Sequence, residues 1–335
     1  MAEYTKPEYL ESEPKLKNKK KNSYLIHIGL FLITFVTTTI AGAEWTTGTA
    51  GPFDIGYLQV GLTYSLTILF IITCHEFGHY FAAKYHKVDA TLPYYIPFPT
   101  VPGLISFGTM GAVIKTKSPV QSNKAMFDIG IAGPLAGFAA CLIILVYGFT
   151  HVPGVDYLLK IHPDYFSPDF GKEGYNLIFG NTLLFSFFKW LFVAPGQFFP
   201  PMSEIYHYPF LCVGWFGLFI TAMNMIPVGQ LDGGHIGYTM FGRKTHYKIA
   251  VVSMIILVVL GTLGIVEAIM DINLPLGWGG WLFWALILFF IIKIKHPPVA
   301  EEKELDLKRK ILGYFSYFIL FISFSPAPIL LIGPK

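Results

Sequence analysis

The sequence predicts an all-α polytopic membrane protein, and its composition and its repeated apolar stretches support that fold class. Hydrophobic residues make up 53% of the 335 residues, charged residues make up only 13%, and the mean hydropathy is +0.54. Soluble domains carry about 25% charged residues, so roughly half of the usual complement is missing. Apolar stretches long enough to cross a bilayer also recur along the chain. A soluble globule with a single membrane anchor is therefore excluded.

Seven stretches approach the roughly 20 apolar residues that a transmembrane helix needs. They are residues 24–42, 57–83, 126–149, 209–227, 249–270, 278–293 and 311–332. We therefore expect about seven transmembrane helices. The stretch 181–194 is apolar but shorter, at about 14 residues, which is typical of a re-entrant or interfacial segment.

Lysines and arginines orient these spans. Of the 24 basic residues, 20 precede the first span, lie between spans two and three, or follow spans four and six. Cytosolic loops carry an excess of Lys and Arg, so we expect the N-terminus inside and the C-terminus outside. Residues 1–23 are interpreted as a basic cytosolic tail, and residues 24–56 as a retained first span with its outer loop. We expect the apolar surface of these spans to contact the lipid bilayer, and we expect no nucleic-acid partner.

The second span carries the sequence His-Glu-Phe-Gly-His at residues 75–79. Two histidines four residues apart lie on one face of a helix, with the glutamate beside them, which is the spacing of zinc hydrolases. His75, Glu76 and His79 are the only histidine or charged residues of this span. Such residues are costly at membrane depth and indicate a functional site. Water-consuming chemistry inside a membrane is therefore the first hypothesis.

A catalytic zinc ion usually has three protein ligands and one water, so a third ligand is needed at the same depth. Asp232 is the only carboxylate of segment 224–235, which interrupts the fourth span with one proline and three glycines. Asp232 lies about ten residues before Arg243, and His79 lies roughly 7 Å before the cytosolic Lys84. Broken helices are tolerated at membrane depth where they line a polar cavity or are buried in protein. The pattern therefore predicts a wet pocket around this aspartate.

These residues predict a hydrolytic mechanism. His75, His79 and Asp232 are predicted to bind Zn²⁺, which activates a water molecule and polarises the scissile carbonyl. Glu76 is predicted to take the proton of that water and to pass it to the leaving amine. Asn224 is a candidate hydrogen-bonding residue near the site.

A second element is predicted between the second and third spans. Residues 104–107 and 111–115 flank a glycine-bounded turn at 108–111, which is typical of a β-hairpin. The preceding stretch 92–102 is aromatic and proline-rich, which suits the membrane interface. An apolar hairpin at 104–115 can pair with an extended substrate by strand addition. This matters because a helical substrate must unwind before its peptide bonds become accessible.

At these residues the chain resembles the site-2 protease family of intramembrane zinc metalloproteases, which is peptidase family M50. The resemblance is carried by HEFGH at 75–79, NMIPVGQLDGG at 224–234, the SFGTMG segment of the hairpin at 106–111 and GPLAG at 133–137. It covers residues 57–245, the expected three-helix catalytic core with a small re-entrant hairpin. The GPLAG segment is interpreted as a close helix-packing feature.

The resemblance implies site residues and a reaction. The implied residues are the zinc ligands His75, His79 and Asp232, the general base Glu76 and the substrate contacts Asn224, Phe107 and Gly108. The implied reaction is the hydrolysis of peptide bonds within or next to the transmembrane segments of single-span substrate proteins. The outer loop 150–208 is too short for a PDZ domain with its linkers, so the chain resembles the PDZ-lacking, plastid-type branch.

Two other classes of function remain open. A divalent-metal transporter also needs histidines and carboxylates in its spans, but such proteins usually bind their cargo near the midplane between inverted repeats. An inactive membrane scaffold has no need of Glu76.

Residues 246–335 are assigned to the C-terminal spans, and the N-terminus, which is unlike a transit peptide, favours a bacterial inner (cytoplasmic) membrane. The sequence specifies neither the substrate nor the oligomeric state.

Four other histidines lie near these motifs. His235 is expected to support the site from a neighbouring position. His86, His246 and His296 adjoin lysines at the cytosolic edges of spans, so we expect them to be solvated.

Overall fold

The computed structural model describes residues 16–51, 54–101, 105–172, 176–270 and 276–333, most of which are helical. The helices in these ranges are α1 (Leu16–Thr47), α2 (Ile55–Tyr85), α3 (Asn123–Thr150), α4 (Val155–Ile161), α5 (Leu183–Phe192), α6 (Pro209–Met225), α7 (Asp232–Met270), α8 (Gly280–Ile287) and α9 (Leu307–Ser323). Short strands form two antiparallel pairs, β1 (Tyr94–Pro97) with β2 (Thr109–Val113) and β3 (Asn176–Phe179) with β4 (Ile329–Ile332).

Within the described ranges, four helices are long and apolar enough to cross a membrane, namely residues Tyr24–Thr47 of α1 and the whole of α2, α3 and α7. The other three predicted spans correspond to α6, α8 and α9, which have 17, 8 and 17 residues. Helix α8 continues as a π-helical turn over Leu288–Ile292. A helix of 17 residues is about 25 Å long, the lower limit for a span. The multi-pass membrane fold is confirmed, and the number of seven spans stays a prediction.

Side-chain caps explain where several helices begin. The Asp54 carboxylate accepts the N–H of Tyr57 at the start of α2, at 2.8 Å. The Ser122 hydroxyl accepts an N–H in the first turn of α3, and the Thr182 hydroxyl does the same in α5. Each cap satisfies one of the backbone donors that a helix leaves unpaired at its N-terminus.

The functional motifs lie where α2, α3 and the start of α7 meet. Helix α2 packs against α1 on one side and α3 on the other, and α3 also packs against α6 and α7. The largest core cluster joins these helices and includes the fully buried rings of Tyr64, Trp215 and Phe216. The motifs are therefore held by the most tightly packed part of the chain.

The sheet between α2 and α3 differs from the predicted hairpin in its first strand. Strand β2 pairs with β1, with Tyr94 opposite Val113 and Tyr95 opposite Ala112. Residues 105–107 are not in a strand, and residue 104 lies outside the described ranges. The proline-rich stretch is compatible with a strand because Pro97 lies at its end, where no ladder N–H is needed. The predicted hairpin boundaries are therefore wrong, although its second half does form a strand.

The last predicted span, 311–332, ends earlier than expected. Helix α9 stops at Ser323, because Pro326 and Pro328 cannot continue a helix. The chain then forms β4, which pairs with β3 in the connection between α3 and α6. The predicted short segment at 181–194 contains α5, whose 10 residues span only about 15 Å.

Candidate metal centre

Helix α2 presents two imidazoles on one face near its C-terminal end. His75 and His79 are one turn apart, their Nε2 atoms are 3.1 Å apart, and both side chains are buried. The Nδ1–H of His79 donates to the carbonyl oxygen of Ile129 on α3, at 2.7 Å. This bond fixes the tautomer and directs the Nε2 lone pair of His79 into the site, as is usual for metal-binding histidines.

Asp232 begins α7 after a six-residue connection from the end of α6. The connection folds tightly because two glycines follow the aspartate. A Cβ on Gly233 would overlap the carbonyl group of Met225, and one on Gly234 would overlap the carbonyl oxygen of Gly229. Only residues without a side chain allow this approach, so the Asp-Gly-Gly sequence positions the carboxylate at the helix start.

The three side chains form a triangle in which each residue has a donor atom close to both of the others. The Oδ2 atom of Asp232 lies 3.2 Å from Nε2 of His75, and its Oδ1 atom lies 3.3 Å from Nε2 of His79. Ligands at about 2.0–2.1 Å from a tetrahedral zinc ion are about 3.3–3.4 Å apart. The spacing of these side chains and their donor set of two imidazole nitrogens and one carboxylate therefore suit a zinc ion, which His75, His79 and Asp232 would hold.

Glu76 lies beside this triangle and outside it. The residue is only 6% exposed. Its electrostatic neighbours are the three donors, and the backbone N–H of Ile114, just after β2, is directed at its carboxylate. A buried carboxylate is costly without a cationic partner, so a bound metal ion is expected to stabilise it.

Helix α3 forms a wall behind the two imidazoles. A Cβ on Gly133 would overlap the ring of His79, and one on Gly137 would come within 3.0 Å of Cβ of His75. In the opposite direction, a Cβ on Gly78 of α2 would lie 2.5 Å from a carbonyl oxygen of α3. The predicted packing role of the GPLAG segment is confirmed, since α2 and α3 meet backbone to backbone at the site.

A family comparison covers the helices that carry these side chains. The model of peptidase family M50 matches residues 63–263, which is more than half of the chain. The chain belongs to peptidase family M50.

Relatives of this M50 chain occur among curated plant proteins. "Probable zinc metalloprotease EGY2, chloroplastic" of Oryza sativa subsp. indica is 28% identical over 250 residues, which cover 74% of this chain and 39% of that protein. The EGY2 protein of Arabidopsis thaliana is 26% identical over 282 residues, covering 84% and 44%. "Probable zinc metalloprotease EGY1, chloroplastic" of Oryza sativa subsp. japonica is 31% identical over 274 residues, covering 81% and 41%. The M50 chain thus spans less than half the length of these relatives.

The predicted substrate contacts of the M50 chain lie in two places. Asn224 is half-buried in the last turn of α6. The ring of Phe107 lies 4.4 Å from that of Phe216 on α6. Gly108 is buried, and its carbonyl oxygen accepts the Thr37 hydroxyl of α1 at 2.6 Å. Phe107 and Gly108 therefore pack among the helices, and the substrate role of all three residues stays a prediction.

Three histidines predicted to be solvated are instead buried or hydrogen-bonded within the chain. His246 is 1% exposed and His296 is 4% exposed. Nε2 of His296 lies 2.7 Å from Nδ1 of His235, and Nε2 of His86 lies 2.7 Å from a carboxylate oxygen of Asp128. Burial lowers the pKa of the His296 imidazole. The prediction is wrong because neighbouring lysines were its only basis, whereas these partners are distant in sequence.

Proposed function

We propose that this chain is an intramembrane zinc metalloprotease that hydrolyses peptide bonds within or next to the transmembrane segments of membrane proteins. The observation that carries the proposal is the donor triangle of His75, His79 and Asp232 beside the buried Glu76. Helix α2, which carries both histidines, is long and apolar enough to cross a bilayer, and Asp232 begins α7, whose backbone is non-helical at Gly242 before its long apolar part. Membership of peptidase family M50 and the names of the relatives support the same activity.

Each side chain has one task in this mechanism. When bound, zinc supplies a Lewis acid that activates water and polarises the scissile carbonyl. His75 and His79 bind as neutral imidazoles, and the Ile129 carbonyl holds His79 in the required tautomer. Asp232 completes the ligand set with a negative charge. Glu76, which lies outside the ligand triangle, accepts the proton of the attacking water and delivers it to the leaving amine nitrogen.

The substrate, a single-span membrane protein, is proposed to bind as an extended strand beside β2. An unwound transmembrane segment needs hydrogen-bond partners for its backbone in an apolar setting. Within the described ranges, β2 pairs with β1 on one edge only, and the N–H of Ile114 at its end is directed at Glu76. Strand addition at this edge brings a peptide bond next to the proposed base.

The active site and the N-terminus are assigned to the cytosolic side of a seven-span protein. Lys84 lies in the last turn of α2, about 7 Å beyond His79, and the connection to α3 carries three further lysines. The PDZ-lacking assignment rests on the short elements α4, β3 and α5 that lie between α3 and α6.

The sequence favours a bacterial cytoplasmic membrane, whereas the relatives named above are chloroplastic. Fractionation of the native host decides between these membranes.

The proposal is tested by cleavage of a single-span substrate in liposomes that contain the purified full chain. Cleavage is expected to stop when a zinc chelator is added and to return with Zn²⁺. Zinc uptake into the vesicles without any cleavage would instead support a transporter, and zinc binding with neither activity would support a scaffold.

Replacement of Asp232 by alanine is expected to remove one zinc ion per chain and to abolish cleavage, because two histidines alone hold zinc weakly at this open site. Zinc is measured by elemental analysis of the purified protein. The matched control is Asp169→Ala, which removes an exposed aspartate paired with Lys172. Unchanged zinc content in the Asp232 variant would remove this residue from the ligand set.

Replacement of Asn224 by alanine is expected to lower kcat by about 10²-fold while zinc content stays unchanged, since a lost hydrogen bond to the reacting carbonyl costs about that much. Steady-state cleavage rates and zinc content are measured on the same preparation. A normal cleavage rate would show that Asn224 makes no such contact.

A further inference from the structure

A second group of metal-binding side chains lies at the opposite end of α6 from Asp232. It consists of His162, Glu204 and His207. His162 directly follows α4, and Glu204 precedes a 3₁₀ turn (Ile205–His207) that leads into α6. At 1.5 Å per residue, the length of α6 separates this group from the M50 site by roughly 25 Å.

The three donor atoms of this group form a triangle that is close in size to the first. The Nε2 atoms of His162 and His207 are 3.0 Å apart. The Oε2 atom of Glu204 lies 3.6 Å from the first and 3.5 Å from the second. These distances bracket the separation of about 3.3–3.4 Å between ligands of a tetrahedral zinc ion. The donor set, two imidazoles and one carboxylate, is also the same as in the first site.

Supporting contacts direct these atoms toward a common centre. The Nδ1–H of His207 donates to the carbonyl oxygen of Thr46, the last turn of α1, at 2.8 Å. The Nε2 atom of His207 therefore carries a lone pair and faces the other two donors. The Tyr157 hydroxyl donates to the His207 carbonyl at 2.7 Å and fixes the backbone there.

Glu204 supplies an independent indication of a missing cation. The residue is 4% exposed, and within the described ranges its Oε2 atom accepts no hydrogen bond. A buried carboxylate oxygen without a partner is costly. A single N–H on the His162 ring can serve either His207 or Glu204 but not both. One cation at the centre of the triangle serves all three atoms.

We propose that His162, Glu204 and His207 bind a second divalent metal ion of the zinc class, separate from the M50 site. The ion ties the residue that follows α4 to the 3₁₀ turn that precedes α6, and the hydrogen bond from His207 to Thr46 links that turn to α1. By the proposed topology it lies on the side of the membrane opposite the cytosol. Its role is structural, because it joins two chain segments at a point where no other predicted site residue lies.

The test is the zinc stoichiometry of the full chain, purified in detergent and dialysed against a weak chelator. The wild type is expected to hold two zinc ions per chain, and the Asp232→Ala protein is expected to keep one. Glu204→Gln and His162→Gln proteins are each expected to lose one ion and to keep the other. The matched control is His151→Gln, an exposed histidine at the end of α3, which is expected to keep two.

A second measurement separates metal loss from misfolding. Added Zn²⁺ is expected to raise the Tm of the Asp232→Ala protein but not that of the Asp232→Ala/Glu204→Gln double variant. The proposal is overturned if the Asp232→Ala protein holds no ion, or if Glu204→Gln leaves the stoichiometry unchanged. These results do not depend on proteolysis, so failure of this site and failure of the proposed protease activity remain distinguishable.

Discussion

Replacement of Glu76 by glutamine is expected to abolish cleavage of a single-span substrate while zinc content stays at the wild-type value. The amide has the shape of the carboxylate but cannot accept the proton of the attacking water. Loss of a general base typically costs 10²- to 10⁴-fold in rate, and the upper end is expected here because Glu76 is buried, so no bulk water replaces it. Cleavage is followed by gel shift of the substrate, and zinc by elemental analysis.

Two further variants show whether the loss of cleavage is due to the loss of proton transfer. Glu76→Asp keeps the carboxylate but withdraws it by one methylene, and it is expected to retain a measurable fraction of the activity. Exposed Glu304→Gln, on the connection before α9, is expected to behave as the wild type. Equal cleavage by the wild type and Glu76→Gln would contradict the mechanism, and loss of zinc would mean that Glu76 acts as a ligand.

A second large effect on zinc content and cleavage is expected from the substitution of a glycine, Gly133. Gly133→Ala places a methyl group where the His79 imidazole now lies. The ring cannot move aside without losing its bond to the Ile129 carbonyl at 2.7 Å. We expect loss of one zinc ion per chain and cleavage below 1% of the wild-type rate, by analogy with the cost of misplacing a catalytic group by about 1 Å.

Gly29→Ala is the matched control for this change. Gly29 lies in α1, and a Cβ built on it meets nothing within 4 Å. It is expected to leave zinc content and cleavage unchanged and not to lower the Tm, since alanine is a better helix former than glycine. If Gly133→Ala retained full zinc, the contact between α3 and the His79 ring would not be essential for the site.

The sequence alone was sufficient for the parts of the site that depend on local geometry. His75 and His79 share a helix face because of their spacing, and Asp232 was placed at the same depth by counting basic residues. The structure places the two Nε2 atoms 3.1 Å apart and a different carboxylate oxygen of Asp232 within 3.2–3.3 Å of each of them. Their roles as ligands remain to be measured.

Sequence reasoning missed the contacts between segments that are distant along the chain. Strand β3 pairs with β4, which lies at the far end of the chain, and no local pattern specifies that partner. The buried state of His296 was missed for the same reason, since its partner His235 belongs to another element. In the second metal-binding group, the spacing of Glu204 and His207 is visible in the sequence, but His162 is brought to them only by the fold.

The backbone contact between α2 and α3 also fixes the direction from which a substrate can approach. Gly78 and Gly133 close this side of the donor triangle completely. Any separation of the two helices would withdraw the support of the His79 ring and disrupt the triangle. A membrane segment that reaches the active site from the lipid is therefore not expected to pass between α2 and α3. Under the proposed binding of the substrate beside β2, we expect it to enter from that side, and two residues that lack side chains determine this expectation.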